Sequence, residues 1–203
     1  GESGKEPDLT DGAAAGFARE GFIPFATTYA VFASRRAYDF ICMAIAEESL
    51  PVKIVCALPG LTTGYGPSHQ ATEDIAIFRG LPNMTIVDPC DALDIEQATP
   101  AIVAHDGPVY MRLLRGAVPL VLDEYDYRFE LGKAKMLRDG ADVLIISSGL
   151  MTMRALEAAK ALAADNLDVA VLHSPTIKPL DQATILKACS KPGRIVCVAE
   201  NHT

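Results

Sequence analysis

Three short blocks of the sequence combine aromatic, histidine and arginine side chains with turns bounded by glycine. In the first block, Tyr29 and Phe32 are three residues apart at the start of a predicted helix, so they share one helical face. Two rings on one face can form the wall of a pocket for a flat heteroaromatic ring. The same spacing also fits two ordinary core aromatics, and spacing alone leaves both interpretations open.

The second and third blocks carry polar chemistry. Residues 60–74 form a glycine-rich loop that contains Tyr65 and places His69 directly before a predicted helix. The positive end of a helix dipole favours neutral imidazole, which can relay protons or hydrogen-bond a developing alkoxide. Arg115 follows a strand-like run, and its guanidinium suits bidentate binding of a phosphate. A capping histidine and a surface ion pair are the structural alternatives.

Alternating strand-like and helix-like segments are expected to position these blocks. Strands that alternate with helices imply a mainly parallel sheet, in which the carboxyl ends of the strands share the edge where ligands bind. In the first part of the chain, the predicted strands are residues 23–28, 52–57, 84–87 and 109–113, and the predicted helices are residues 31–48, 70–79 and 93–104. In the second part, the predicted strands are residues 142–148, 168–173 and 194–199, and the predicted helices are residues 151–164 and 181–189.

This pattern predicts an α/β fold with two consecutive doubly wound, mainly parallel-sheet domains. The first domain is expected at residues 12–118 and an incomplete second one at residues 139–203, with residues 119–138 as a polar connector. Residues 1–11 are polar, although a strand ought to precede the helix that follows them. We therefore expect residues of the natural protein to be missing near residues 9–12, and more sequence to follow the last residue.

Composition narrows the function classes. The chain has 203 residues and a net charge of −8, which argues against nucleic acid or an anionic membrane as a partner. No apolar run approaches the length of a membrane span and no signal pattern opens the sequence, so a cytoplasmic location is expected. The five cysteines form no close pairs, which favours reduced, buried thiols over a zinc or redox site.

Taken in order, the blocks resemble the pyrimidine-binding domain of transketolases, and more specifically that of the split, two-subunit transketolases and of deoxyxylulose-phosphate synthase. The resemblance covers residues 12–115, and residues 141–203 resemble the first part of the family's C-terminal domain. The motifs that carry it are Ala-Gly-Phe-Ala-Arg-Glu-Gly-Phe-Ile-Pro-Phe-Ala-Thr-Thr-Tyr (residues 15–29), Arg-Arg-Ala-Tyr-Asp (35–39), Ser-His-Gln (68–70), Glu-Asp-Ile-Ala (73–76), Leu-Pro-Asn-Met-Thr (81–85) and Leu-Arg-Gly (114–116).

The resemblance implies a cofactor and roles for individual residues. Tyr29 and Phe32 match the aromatic wall around the aminopyrimidine ring of thiamine diphosphate, and Arg35 matches an arginine near that ring and the substrate phosphate. His69 matches a histidine that contacts donor and acceptor hydroxyls, and Arg115 matches the arginine that holds the sugar phosphate. The implied reaction is transfer of a two-carbon ketol unit from a ketose to an aldehyde.

Three departures from the family pattern affect these expectations. The cofactor-activating glutamate lies in the family just before the helix that matches Gly12, where this chain has Asp11, which is not a credible substitute. We expect this glutamate among the residues of the natural protein that are missing before Gly12. The loop before His69 is one residue shorter and has Tyr65 where the family has an acidic stretch, and Leu58 replaces a histidine. An unusual ketose or ketose phosphate is therefore expected as the donor, with Tyr65 among the residues that contact it.

The resemblance also implies a partner chain. The family's Gly-Asp-Gly and asparagine signature, which holds Mg²⁺ and the diphosphate, does not occur in this sequence. We expect these groups to be bound by a separate N-terminal transketolase subunit, in an α2β2 assembly built on a homodimer of this chain, and we expect no metal ligand on this chain. The alternatives are the β subunit of a 2-oxo-acid dehydrogenase and a catalytically inactive partner subunit.

Overall fold

A computed structural model describes residues 7–200, and the protein divides into two units. Within the described residues, unit 1 comprises residues 7–87 and 99–117, and unit 2 comprises residues 88–98 and 118–200. None of the helices in this part of the chain is both long and apolar enough to cross a bilayer.

Unit 1 contains a parallel sheet of short strands that alternate with helices. In chain order its elements, with a π-helical turn at Ile41–Ala46, are α1 (Pro7–Arg19), β1 (Phe25–Tyr29), α2 (Ala30–Arg35), α3 (Tyr38–Phe40), β2 (Lys53–Ala57), α4 (Asp74–Arg79), β3 (Thr85–Val87), α5 (Ala92–Ala104), whose first half belongs to unit 2, and β4 (Val109–Leu113). The strands of unit 1 lie in the order β1-β2-β4-β3, and every neighbouring pair is parallel. All four strands predicted in this part of the sequence are present.

The predicted helix over residues 31–48 is interrupted in the structure. α2 ends at Arg35, and Ala37 takes a backbone conformation (φ −86°, ψ 1°) outside the helical region before α3 begins. Ala37 is fully buried, and its amide donates to the carbonyl of Phe32. The interruption places Arg36 at the end of a short helix, a position that helical periodicity does not reveal.

Unit 2 contains a second, mixed sheet. Its elements are β5 (Lys135–Arg138), β6 (Val143–Ser147), α6 (Leu150–Leu162), β7 (Val169–His173), β8 (Thr176–Lys178), α7 (Gln182–Cys189) and β9 (Ile195–Ala199). The four-stranded sheet has the order β5-β7-β6-β9, in which β5 is antiparallel to β7 and the other pairs are parallel. β5 lies in the segment expected to be a connector, and β8 was also missed, because strands of three or four residues give too few positions for a periodic pattern.

The sheet of unit 2 is covered on both faces. Alternate residues of β7 belong to two separate hydrophobic clusters: Ala170 and Leu172 pack with one, whereas Val169 and Val171 pack with the other. All five residues of β7 are buried, as expected for a strand of a doubly wound sheet. The prediction of an α/β fold with two consecutive, mainly parallel-sheet domains is confirmed.

α1 begins before the point at which the sequence predicts missing residues. It runs without interruption from Pro7 to Arg19 and contains the small-residue segment that the sequence predicts to be helical. Asp11 lies in this helix with only 2% of its surface exposed. That further residues of the natural protein belong near residues 9–12, or follow Thr203, stays a prediction, and the last three residues of the chain lie outside the described part.

Candidate active site

Three aromatic rings surround His69 in unit 1. The centroid of the imidazole lies 5.9 Å from that of Tyr29, 5.4 Å from that of Phe32 and 5.4 Å from that of Tyr65. Tyr29 and Phe32 are themselves 5.7 Å apart with their planes tilted by 35°. Tyr29, Phe32 and His69 are half-buried, whereas 59% of Tyr65 is exposed. The structure thus brings together side chains that the sequence spreads over 41 residues, from 29 to 69.

The register of the parallel sheet explains why these side chains meet. Tyr29, the last residue of β1, is opposite Ala57, the last residue of β2. Ala57 is in turn opposite Leu113, the last residue of β4. The segments that leave these three strands therefore start at the same edge of the sheet, and they carry the aromatic rings, His69 and Arg115.

The loop between β2 and α4 is held in place at both ends. The amide of Gly60 donates to the carbonyl of Ala71 at 2.8 Å, and the side-chain amide of Gln70 donates to the carbonyl of Thr63 at 3.1 Å. These two bonds close the loop on itself around residues 60–71. His69 is consequently presented from a closed loop rather than from an open strand end.

Leu58 opens this loop in a strained conformation. Its φ of 61° lies in the left-handed region that leucine rarely adopts, and only 1% of its surface is exposed. The side chain packs into the interior of unit 1. That the residues at positions 58 and 65 affect substrate choice stays a prediction.

The position of His69 relative to the next helix differs from the prediction. α4 begins at Asp74, not at residue 70, so the histidine lies in a turn five residues before the start of the helix. The expected influence of the helix dipole on His69 is therefore wrong. The hydroxyl oxygen of Ser68 lies 2.9 Å from Nδ1 of the imidazole. This contact engages Nδ1 and leaves Nε2 to interact with a substrate.

A buried ion pair explains where α4 begins. Arg112 of β4 donates from Nε to one carboxylate oxygen of Asp74 at 2.9 Å and from Nη2 to the other at 3.0 Å. Tyr110 donates to the same carboxylate at 2.6 Å. Arg112 and Asp74 are 1% and 0% exposed, and burial is the main cause that raises the pKa of the Tyr110 hydroxyl well above its usual value. The first residue of α4 is thereby fixed to the sheet, next to the loop that carries His69.

Arg115 contacts the loop rather than a carboxylate. Its Nη1 donates to the hydroxyl of Tyr65 at 3.3 Å, and its guanidinium carbon lies 5.7 Å from the centroid of that ring. Tyr65 therefore touches both His69 and Arg115. The guanidinium is exposed and retains donors that can bind an anion.

The two neighbouring arginines at the end of α2 have different partners. Arg35, which the sequence places near the cofactor ring, forms an ion pair with Glu73. The hydrogen bond from Arg35 lowers the pKa of the Glu73 carboxyl to about 2. Arg36, which sequence reasoning passed over, places its guanidinium carbon 4.2 Å from the centroid of the Phe32 ring. The spacing of four residues between Phe32 and Arg36 is the sequence signal that could have indicated this contact.

A second group of residues that could do chemistry lies in unit 2. Nε2 of His173 is 3.0 Å from the carboxylate of Asp94, and Nδ1 is 2.7 Å from the hydroxyl of Thr152. Tyr127 donates to the second oxygen of Asp94 at 2.6 Å. The order Thr–His–Asp matches that of a hydrolytic triad, but His173, Asp94 and Thr152 are all 0% exposed. Within unit 2 the group therefore holds α5, α6 and β7 together.

Comparison with known proteins identifies the family. Residues 10–121 match the model of the transketolase pyrimidine-binding domain, and residues 132–203 match that of the transketolase C-terminal domain. The chain belongs to the transketolase family. The resemblance inferred from the motifs is thereby confirmed.

Relatives of this transketolase-family chain include a transketolase subunit and a split-gene transketolase. It is 78% identical to a transketolase family protein of Sinorhizobium fredii over 94% of this chain and 55% of that protein. It is 43% identical to a 6-deoxy-6-sulfo-D-fructose transketolase subunit of a Clostridium species, over 94% of this chain and 59% of that subunit. A split-gene transketolase solved as an inactive β4 tetramer matches with a TM-score of 0.88 at 40% identity, over 96% of this chain and 62% of that one. The chain thus spans little more than half the length of these relatives.

Membership of the family implies dependence on thiamine diphosphate, and the site can be tested against the shape of that molecule. The aminopyrimidine end is a flat ring, and it fits the half-buried wall formed by Tyr29 and Phe32 beside His69. Among residues 7–200, no group of three or more His, Cys, Asp or Glu side chains could hold a metal ion. With the wall of Tyr29 and Phe32, the described residues fit the ring end of the cofactor.

Proposed function

We propose that this transketolase-family chain is a subunit of a thiamine-diphosphate-dependent transketolase of the EC 2.2.1 class. The enzyme transfers a two-carbon ketol unit from a ketose or ketose phosphate to an aldose or aldose phosphate. The observation that carries the proposal is the grouping of His69 with Tyr29 and Phe32 on one side and with Tyr65 and its hydrogen-bonded partner Arg115 on the other. A ring wall, an imidazole and an anion-binding guanidinium at one sheet edge are the parts that such a transfer requires.

Each of these residues has a distinct task. Tyr29 and Phe32 hold the aminopyrimidine ring, and the bound cofactor supplies the electron sink that permits a carbon–carbon bond next to a carbonyl to break. His69 binds substrate hydroxyls through Nε2 and exchanges a proton with the oxygen whose charge changes as that bond breaks or forms. Ser68 orients the imidazole through Nδ1. Arg115 binds the anionic end of the sugar, which fixes the distance between that end and the reacting carbonyl.

A second subunit completes the site in this proposal. The family's diphosphate and Mg²⁺ ligands are expected on an N-terminal transketolase subunit that pairs with this chain in an α2β2 assembly, and the chain on its own is expected to be inactive. Two comparisons support this arrangement: one relative is described as a transketolase subunit, and the split-gene relative was solved as an inactive tetramer of β chains.

The donor is expected to be a ketose with an anionic end. The Clostridium relative is named for a sulfonated fructose, so one similar subunit acts on a sugar whose terminal anion is a sulfonate. The exposed guanidinium of Arg115 can bind a sulfonate or a phosphate in the same bidentate manner. Tyr65 lies between this guanidinium and His69, and we propose that it shapes the part of the site that distinguishes donors.

The proposal is tested by reconstitution. The complete protein is co-expressed with the N-terminal subunit from the same gene neighbourhood, and the purified complex is screened with a panel of ketose phosphates and sulfonated ketoses in the presence of an aldehyde acceptor. We expect thiamine-diphosphate-dependent release of an aldose and formation of an elongated ketose by the complex, and neither by the separate subunits. Decarboxylation of 2-oxo acids with acyl transfer to lipoamide, in place of ketol transfer, would refute the proposal in favour of the dehydrogenase alternative.

A further inference from the structure

The two arginines at the end of α2 are chemically identical and adjacent, but only one of them touches the ring wall. Arg35 points its Nε at the carboxylate of Glu73, which Thr72 also holds through a hydrogen bond of 3.0 Å. Both members of the ion pair are partly exposed, at 43% and 36% of their side-chain surface. The charge of Arg35 is therefore balanced locally, away from the aromatic rings.

Arg36 has no such arrangement and lies over Phe32. A distance of 4.2 Å between the guanidinium carbon and the ring centroid places the cation against the face of the ring. A planar guanidinium on an aromatic face restrains the rotation and tilt of that ring. One face of Phe32 is thereby occupied, and a second flat ring can stack only on the other face. The contact defines both the plane and the accessible side of the ring wall.

We propose that Arg36, and not Arg35, is the arginine on which the pyrimidine pocket depends, and that it is a positioning residue that acts through Phe32. The inference rests on the proposed function, since it concerns the pocket for the cofactor ring. If Arg36 is removed, Phe32 keeps its apolar surface but loses the contact that fixes its plane, so the cofactor must order the ring when it binds. Loss of Arg35 frees Glu73 at the surface and leaves the ring wall as it is.

The experiment compares matched variants in the reconstituted complex. Arg36→Met and Arg35→Met each replace a guanidinium by an unbranched apolar chain, and the dissociation constant for thiamine diphosphate is measured by titration calorimetry. We expect Arg36→Met to weaken cofactor binding about three- to fivefold, because Arg36 is exposed and an exposed cation–π contact is worth roughly the free energy of that change. We expect Arg35→Met to change it less than about twofold, as is usual for an exposed ion pair. Arg36→Lys should recover part of the loss.

A double-mutant cycle separates positioning through Phe32 from any other role. In a Phe32→Leu background, Arg36→Met should weaken binding no further, since the ring that it positions is absent. The proposal is overturned if Arg36→Met costs the same in both backgrounds, or if Arg35→Met matches it. Thermal melting checks that each variant is folded. If Arg36→Met does not fold, Arg36→Lys takes its place in the cycle and is measured in both backgrounds. Failure of the wild-type complex to bind thiamine diphosphate would refute the proposed function itself, which is a different result from equal effects of the two arginines.

Discussion

The hydroxyl oxygen of Ser68 lies 2.9 Å from Nδ1 of His69, so the residue that precedes the histidine in the chain also determines how its ring is held. The imidazole is further enclosed by Phe32 and Tyr65, each with its centroid 5.4 Å away. With Nδ1 engaged by Ser68, Nε2 is the atom that we propose binds a substrate. The following predictions test this site and the structure that supports it.

Replacement of His69 should impair the chemical step. In the reconstituted enzyme we expect His69→Ala to lower kcat about 10²-fold, because the proton exchange and the hydrogen bond at the reacting oxygen are lost. The effect is measured by steady-state kinetics under saturating donor and acceptor. Ser68→Ala serves as the matched control: it keeps the imidazole but frees Nδ1, and it should lower kcat by only a few-fold. A histidine that merely caps the loop would give equal, small losses in both variants.

Replacement of Arg115 should impair binding of the substrate's anionic end. We expect Arg115→Ala to raise KM for phosphorylated or sulfonated sugars and to cost about 2 to 4 kcal/mol in kcat/KM, since a desolvated anion loses its guanidinium. An uncharged analogue of the same sugar should be affected little, because it offers this residue nothing to bind. Tyr65→Phe removes the hydroxyl that Arg115 contacts at 3.3 Å and keeps the ring, so it should change KM less than Arg115→Ala. Equal losses with charged and uncharged sugars would mean that Arg115 is structural.

The buried pair of Asp74 and Arg112 should contribute strongly to the stability of unit 1. We expect Asp74→Asn to lower the free energy of unfolding by about 3 to 5 kcal/mol, because it leaves the guanidinium of Arg112 buried without its carboxylate. Urea denaturation followed by circular dichroism measures the change, and Asp39→Asn, at an exposed position, provides the control. A loss below about 1 kcal/mol would show that water reaches Arg112 and that the pair does not fix the start of α4.

Lys53 should make stability depend on pH in the alkaline range. Its side chain is 0% exposed and donates to the carbonyls of His105 and Gly107 at 2.8 and 2.7 Å, and burial lowers its pKa from 10.5 to about 8. The folded protein then releases this proton near pH 8, whereas the unfolded chain keeps it until about pH 10.5. Below about pH 8 the folded protein must bury a charged ammonium, which lowers the free energy of unfolding. This loss of stability disappears as the pH rises to about 10.5.

The pH dependence caused by Lys53 is measured against a variant that lacks its ammonium group. Over that window the wild type should gain about 3 kcal/mol of stability relative to a Lys53→Met variant, in which the linked proton is absent. Chemical denaturation at roughly pH 7.5, 9 and 10.5 gives the difference in the free energy of unfolding between the two proteins at each pH. Groups that titrate in both proteins contribute equally and cancel in this difference. Parallel stability curves for the two proteins would contradict the lowered pKa.

Much of the fold and of the site could be predicted because the signals are local. Alternating strand and helix patterns are set by nearest neighbours, and parallel strands bring their carboxyl ends to one edge whatever the details of packing. The meeting of Tyr29, Phe32, His69 and Arg115 follows from that rule, whereas the family was inferred from the resemblance of short sequence motifs. Short strands such as β5 and β8 escaped prediction because pairing partners distant in the sequence, and not their own residues, make them strands.

The amino-acid sequence alone was enough to predict the fold class, the family and the side chains of the candidate site. The tertiary structure alone decided which partners those side chains have. α4 begins at Asp74 because Arg112, 38 residues away, holds that carboxylate in the core. Arg36 lies over Phe32 at the ordinary four-residue helical spacing, whereas Arg35 pairs with Glu73, 38 residues further along the chain. The physical reason is common to both cases: hydrogen bonds, ion pairs and ring contacts are selected by the register of the sheet and the burial it imposes, and these arise only when distant parts of the chain come together.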